Sequence, residues 1–353
     1  MSNCLLIGSN QGCSGKSALI IGIADRLQQK GINIAYRKPL GTFMSKQNGG
    51  LIEEDIKFVS EILNLAPGDI PAPLLFLNEE TVRDRIKAET SKNYAEELPS
   101  HVASHGQLVL IEGAGSLNYG ALFGLSLEQM SQQLNAPVLL LCNYGNPELI
   151  DSLMTSHSSL GDRLAGVVIN DIPPELLPQF TKEVKPFLET QGIKVLATMP
   201  MDRVLRSISV RQVVERLGAE VICREDRLDL IIESLTIGAM NVNSALRYFK
   251  QKLNKAVVTG GDRQDLQLAA LETSTSCLIL TGHIPPTEAV KERANALEVP
   301  IISVTLDTLT AVEIIDQAFG KVRLQEPLKV TRMKELTAEY FDIDRLISTL
   351  NLS

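Results

Sequence analysis

The stretch Gly8-Ser9-Asn10-Gln11-Gly12-Cys13-Ser14-Gly15-Lys16-Ser17 follows the apolar run Cys4 to Ile7 and precedes the helix-patterned Ala18 to Leu27. An apolar run, a glycine-rich turn and a helix opening on Gly-Lys-Ser read as strand, phosphate-binding loop and helix. In such a loop backbone N–H groups face the anion, and the helix aims the positive end of its dipole at the same point. Gly12, Cys13, Ser14 and Gly15 are the expected cradle. Lys16 is the mobile cation for the β- and γ-phosphates, and Ser17 the hydroxyl ligand for Mg2+. The usual spacing asks for glycine at position 10, where Asn10 stands; asparagine tolerates positive φ better than most residues. A plain glycine-rich turn would account for the glycines but not for Gly-Lys-Ser in this context.

At 353 residues the chain is long enough for two domains, each with a proper core. Lys and Arg number 34 against 42 Asp and Glu, a net charge of −8. Nucleic acid is therefore not expected as the main partner, and phosphate binding must be local. Five scattered cysteines, Cys4, Cys13, Cys142, Cys223 and Cys277, form no Cys-x-x-Cys pair. They fit a reducing cytoplasm and give no zinc or disulfide framework. Cys13 sits at a helix N-terminus that would lower a thiol pKa, but reads more simply as a small loop residue. The first apolar run breaks at once into Gly, Ser and Asn, as a strand does and a signal peptide does not. No run approaches the roughly 18 apolar residues of a membrane span, so a cytoplasmic protein is expected.

From residue 1 to about 222, short apolar runs alternate with helical patterns, which implies an α/β fold with a parallel sheet covered on both faces. The expected strands are Cys4 to Ile7, Ile32 to Tyr36, Leu108 to Glu112, Val138 to Cys142, Leu164 to Asn170 and Lys194 to Met199. Helices are expected over Lys16 to Lys30, Leu51 to Leu63, Thr81 to Ala103, Ser126 to Leu134, Pro147 to Leu160 and Pro174 to Gln191. A second, smaller α/β domain is expected over 223–324, with strands Leu230 to Ile237, Lys255 to Thr259, Cys277 to Leu280 and Pro300 to Val304. The tail, 325–353, carries Met333, Leu336, Tyr340, Phe341, Ile343, Leu346, Ile347 and Leu350 at helical spacing. Such a face must be covered, most simply by its own domain.

Glu112 ends the run Leu108-Val-Leu-Ile-Glu112 ahead of Gly113-Ala-Gly115, where a carboxylate would share Mg2+ with Ser17. Asp55, within Glu53-Glu-Asp55-Ile, reads on its own as an acid favoured by a helix N-terminus. Lys38, before Pro39, reads on its own as a surface charge. Asn170, before Pro173-Pro174, is either an adenine-reading amide or a turn residue.

As a set, Gly15-Lys16-Ser17, Tyr36-Arg-Lys38-Pro39, Glu53-Glu-Asp55-Ile, Leu110-Ile-Glu112-Gly-Ala-Gly115 and Gly166-Val-Val-Ile-Asn170 resemble dethiobiotin synthetase and its P-loop relatives over roughly the first 210 residues. The resemblance implies ATP with Mg2+ as cofactors. It makes Lys16 a phosphate and transition-state ligand, and Ser17, Asp55 and Glu112 the metal shell. Lys38 and Thr42 would approach an acceptor, with Lys16 and Lys38 the catalytic pair, and Asn170 the adenine.

Downstream, Thr236-Ile-Gly-Ala-Met240, Val257-Val-Thr259-Gly260-Gly261-Asp262-Arg263-Gln-Asp265, Leu278-Ile-Leu-Thr281-Gly282 and Val304-Thr-Leu-Asp307-Thr308 are similar to the DRTGG domain. That domain follows a dethiobiotin-synthetase-like domain in the N-terminal regulatory half of long bacterial phosphotransacetylases. With the sequence ending at Ser353, a free-standing version of that half is expected, not a phosphotransacetylase by itself. The DRTGG resemblance implies dimer formation and a small anionic or nucleotide ligand, held by Gly260, Gly261, Asp262 and Arg263. The alternative is a turn in which Asp262 caps the helix and pairs with Arg263.

Three functions stand open on this reading. The first is a nucleotide-binding sensor that signals to a partner protein. The second is an ATP-dependent ligase acting on a small acid or diamine. The third is an assembly factor in which nucleotide only stabilises the fold. No match to a synthetase acceptor site is found in Asn143 to Asp151, and His101, His105, His157 and His283 show no metal-binding spacing.

Overall fold

The computed structural model describes residues 3–12, 15–42, 44–47, 50–65, 70–87, 92–145, 148–319 and 326–352. Two compact units result, one from Met1–Asp202 with Arg323–Ser353 and one from Arg203–Val322.

The first unit is built on six strands: β1 (Asn3–Ser9), β2 (Ile34–Arg37), β3 (Leu108–Glu112), β4 (Val138–Asn143), β5 (Leu164–Ile172) and β6 (Val195–Pro200). Their order is β6-β5-β4-β1-β3-β2, and every pair is parallel. The runs are nearly all apolar because a parallel sheet under helices is buried on both faces; all five residues of β3 are buried. With β1 between β3 and β4, Ile7 pairs with Glu112, and Asn143 pairs with Asn170 farther along the same edge. The loop after β1 therefore opens at the middle of the carboxyl edge, where open α/β sheets bind ligands.

The loop ends in α1 (Lys16–Gln29), whose Leu19, Ile20, Ile23, Ala24 and Leu27 are buried. The helix expected from Leu51 begins later, as α2 (Glu54–Ile62), because Gly50–Glu53 pairs antiparallel with Met44–Gln47 and the Glu53 carboxylate caps the helix at Ile56 N–H. The single helix expected over Thr81 to Ala103 is two, Glu79–Ile86 and Tyr94–Val102. Asn78 starts the first with a reciprocal cap on Thr81.

The tail forms α3 (Pro327–Tyr340) and α4 (Ile343–Thr349) and is built into this first unit. Val330, Met333, Leu336 and Leu346 are buried. Asp342 N–H donates to Leu196 O at 2.9 Å, which ties the turn between the two helices to β6.

The second unit carries β7 (Glu220–Cys223), β8 (Ser234–Gly238), β9 (Lys255–Gly260), β10 (Thr275–Thr281) and β11 (Ile301–Ser303) in the order β7-β11-β10-β9-β8. All pairs are parallel except β7 with β11. Apolar layers on both faces of this sheet, including Ala256, Val258 and Ile302 on one side and Val257, Leu278 and Ile301 on the other, form its core. The unit begins at Arg203, ahead of the boundary expected after residue 222: Ile208–Ser209 pairs with Ile231–Ile232, and β7 is an edge strand of this sheet. The strand expected over Leu230 to Ile237 is divided: Ile231–Ile232 pairs antiparallel with Ile208–Ser209, and β8 pairs with β9.

Candidate nucleotide site

Gly15 stands at the N-cap of α1 with φ 91°, a left-handed conformation that glycine adopts freely and other residues rarely do. It is the positive-φ residue among the described positions of the loop; Asn10 does not use the freedom expected of it, and its amide instead donates to Ser152 Oγ at 3.3 Å. Cys13 and Ser14, expected in the cradle, lie outside the described residues. Lys16, the first residue of α1, is buried, with Nζ donating to Ser9 Oγ at 3.0 Å and to Gly115 O at 2.9 Å. Gly115 belongs to the turn that follows Glu112, so the Lys16 ammonium is held between the ends of β1 and β3. One turn position on, Ser17 Oγ donates to Glu112 Oε1 at 2.9 Å.

Glu112 is the hub of a buried polar network. Tyr36, interior to β2 and wholly inaccessible, donates its phenol to Glu112 Oε2 at 2.7 Å. Lys38 Nζ lies 2.6 Å from Glu53 Oε1 and 3.7 Å from Glu112 Oε1, and bonds to Asp55 Oδ2. Glu53 is pinned in turn: its Oε2 accepts Ile56 N–H at 3.0 Å, and its Oε1 accepts Thr42 N–H at 3.5 Å. Burial pushes the Glu112 carboxyl above the ordinary glutamate range against the pull of Lys38. Burial alone would lower the Lys38 pKa, but Glu112, Asp55 and Glu53 outweigh it and hold the ammonium charged. Burial, then the neighbouring Glu112 charge, keeps the Tyr36 phenol protonated and so a donor.

The structure thus brings Lys16, Ser17, Lys38, Asp55 and Glu112 together. Asn170 sits within reach of the loop, its Nδ2 4.0 Å from the position a Cβ would take on Gly15, and donates to Asn143 Oδ1 at 3.4 Å. Tyr36 and Glu53 complete the network and were not singled out from sequence. A tyrosine inside a buried strand needs a partner for its hydroxyl, which was the available signal; Glu53 was masked by its neighbours Glu54 and Asp55. Among the described residues no group of three or more His, Cys, Asp and Glu is placed to hold a metal ion. The oxygens at hand are Ser17 Oγ and the carboxylates of Glu112 and Asp55. Mg2+ is ordinarily held by one or two carboxylates together with substrate phosphates, so this donor set fits it.

A profile for an AAA domain matches residues 3–209, more than half of the chain, and a profile for the DRTGG domain matches residues 212–318. The chain belongs to the AAA-domain family. A phosphate acetyltransferase of Synechocystis sp. is 26% identical over 321 residues, covering 84% of this chain and 44% of that protein. One from Nitratidesulfovibrio vulgaris is 25% identical over 373 residues, covering 99% of this chain and 52% of that protein. The chain therefore spans about half the length of these relatives. Among solved structures, the CBS and DRTGG domains of the regulatory region of Clostridium perfringens pyrophosphatase, complexed with the activator diadenosine tetraphosphate, align at 19% identity with a TM-score of 0.30. That alignment covers 48% of this chain and 85% of that one. No described helix is long and apolar enough to cross a membrane.

In the DRTGG domain, Gly260 ends β9, and Gly261, Asp262 and Arg263 turn the chain into the helix Gln264–Leu271. Several of their groups hydrogen-bond within the domain. Gly261 N–H donates to Thr281 O at 3.0 Å and Arg263 N–H to Gly260 O at 3.1 Å. The Arg263 guanidinium pairs with Asp265, at 3.1 Å to each carboxylate oxygen, and donates to Met240 O at 3.1 Å. Its acidic partner is thus Asp265, not Asp262 as the turn reading supposed. Gln267 Nε2 donates to the carbonyls of Gly260 and Gly261. Asp307 is the N-cap of the helix Thr308–Asp316, accepting from the N–H groups of Leu309 and Thr310.

Proposed function

We propose that this AAA-domain chain is a nucleotide-binding regulatory protein. ATP with Mg2+ occupies the loop of the first domain, and the DRTGG domain passes the state of that site to a partner, a second copy of the chain or another protein. The observation that carries this reading is the convergence of Lys16, Ser17 and Glu112 at the N-terminus of α1, behind the left-handed Gly15. A cation, a hydroxyl and a carboxylate at a helix N-terminus are what a metal-bound triphosphate requires. Lys16 would exchange Ser9 and Gly115 for phosphate oxygens, and Asn170, beside Gly15, would meet the base. Ser17, Glu112 and Asp55 would hold the metal, which supplies charge neutralisation between the phosphates.

A ligase is the second reading, favoured by one observation: Lys38 brings another cation into the same buried network. The two readings part on turnover. Thermal melting with ATP and Mg2+, alone and with diaminopelargonate plus bicarbonate, should be run with phosphate release followed in the same wells. A native-state ligand at 100 times its Kd adds about 2.7 kcal/mol of stability. The regulatory reading expects a raised melting temperature with negligible release whatever acceptor is added; acceptor-dependent release would establish the ligase instead.

A further inference from the structure

Lys38 lies beside the carboxylates that would hold the metal. An oxygen that ligates Mg2+ stands about 2 Å from it. A metal on Glu112 Oε1, itself 3.7 Å from Lys38 Nζ, would therefore lie within about 6 Å of the ammonium. Asp55, the other metal carboxylate of the proposed site, is already bonded to Lys38. Two cations this close in a buried site oppose one another, so metal and ammonium compete for Asp55 and Glu112. Glu53 differs from those two. Its Oε2 is committed to the start of α2 and its Oε1 to Lys38 and Thr42 N–H, so it remains in place whether or not a metal arrives.

Resting on the proposed nucleotide site, we propose that Lys38 is the resident cation of the metal position and Glu53 its anchor. In the absence of nucleotide the ammonium neutralises the carboxylates and excludes a free divalent ion. When the metal arrives with a triphosphate, whose negative charge gives the ammonium new partners, Lys38 yields Asp55 and Glu112 and stays tethered to Glu53. Lys38 is in this account a positioning residue that makes metal binding conditional on nucleotide, a role separate from any contact with an acceptor.

The test is binding of Mn2+ alone to the full chain, read by electron paramagnetic resonance, in the wild type and in Lys38→Met, Lys38→Gln and Lys38→Arg. Loss of the charge in Lys38→Met or Lys38→Gln should tighten Mn2+ binding without nucleotide by about tenfold or more, whereas Lys38→Arg, which keeps the charge, should stay as weak as the wild type. Unchanged or weaker Mn2+ binding in a folded neutral variant overturns the inference. So does Mn2+ binding by Lys38→Arg as tight as the neutral variants are expected to show, an arm that decides the matter if the neutral variants do not fold. A wild type stabilised by ATP with Mg2+ alongside unchanged Mn2+ binding in Lys38→Met refutes this inference and leaves the nucleotide reading standing. Failure of ATP to stabilise the wild type refutes the nucleotide reading, and the Mn2+ measurements still report on Lys38.

Discussion

At the scale of single residues, the site depends on groups that keep one protonation state. Tyr36 donates to a buried carboxylate, and Tyr36→Phe leaves Glu112 Oε2 without that donor. A buried acceptor deprived of a partner costs about 1–3 kcal/mol, and more where it is charged. Chemical denaturation should show that loss, with a smaller stabilisation by ATP and Mg2+. In the second unit Lys255, wholly inaccessible, donates to Ser274 O at 2.7 Å and Lys252 O at 3.3 Å, and burial pushes its pKa from 10.5 down to about 8. The native state then releases this proton before the unfolded state does, so stability should rise between about pH 8 and 10.5. Denaturation across that range should show the rise, and Lys255→Met should flatten it. Lys16, Ser17 and Glu112 were legible because each belongs to a short contiguous pattern. Lys38 and Asp55 lie seventeen positions apart, and only the family resemblance joined them before the structure did. The pairing of Arg263 with Asp265 was not legible, because sequence spacing does not show which acid its guanidinium faces.

Among elements, the six strands of the first sheet were legible because burial on both faces leaves continuous apolar runs. β7 was not: it is four residues long, half-exposed and at a sheet edge, and its pairing partner lies some eighty residues away. The start of α2 was misplaced because Gly50–Glu53 is apolar enough to extend a helix pattern but is taken up by a hairpin. Gly22, in the middle of α1, carried a signal that was passed over. A methyl group there would overlap Thr337 of α3, coming 2.8 Å from its Cβ, so the two helices approach as closely as they do because the residue is glycine. Gly22→Ala should gain about 1 kcal/mol of helix propensity and lose about 1–3 kcal/mol to overpacking. A net fall in the melting temperature of the first unit is expected.

Over the whole molecule, the chain leaves the first unit at Asp202 and returns to it at the tail. Arg345 of α4 makes two bonds to Glu189, at 2.6 and 2.7 Å, and this pairing, ahead of burial, holds the Glu189 pKa below 4.5. A depressed carboxylate contributes stability that is present above its unfolded pKa and lost as pH falls through the folded value. Glu189→Gln should cost about 1 kcal/mol at neutral pH, measured by denaturation, and remove that part of the acid sensitivity. The two-domain order was legible from motifs, and the membership of the tail was not, since an apolar helical face does not say which core it covers.

The nucleotide site is tested most directly by titrating ATP with Mg2+ into the wild type and Lys16→Ala and following the melting temperature. Stabilisation of the wild type and its loss in a folded Lys16→Ala is the predicted result. Equal stabilisation of both proteins, or of neither, would contradict nucleotide binding at this loop.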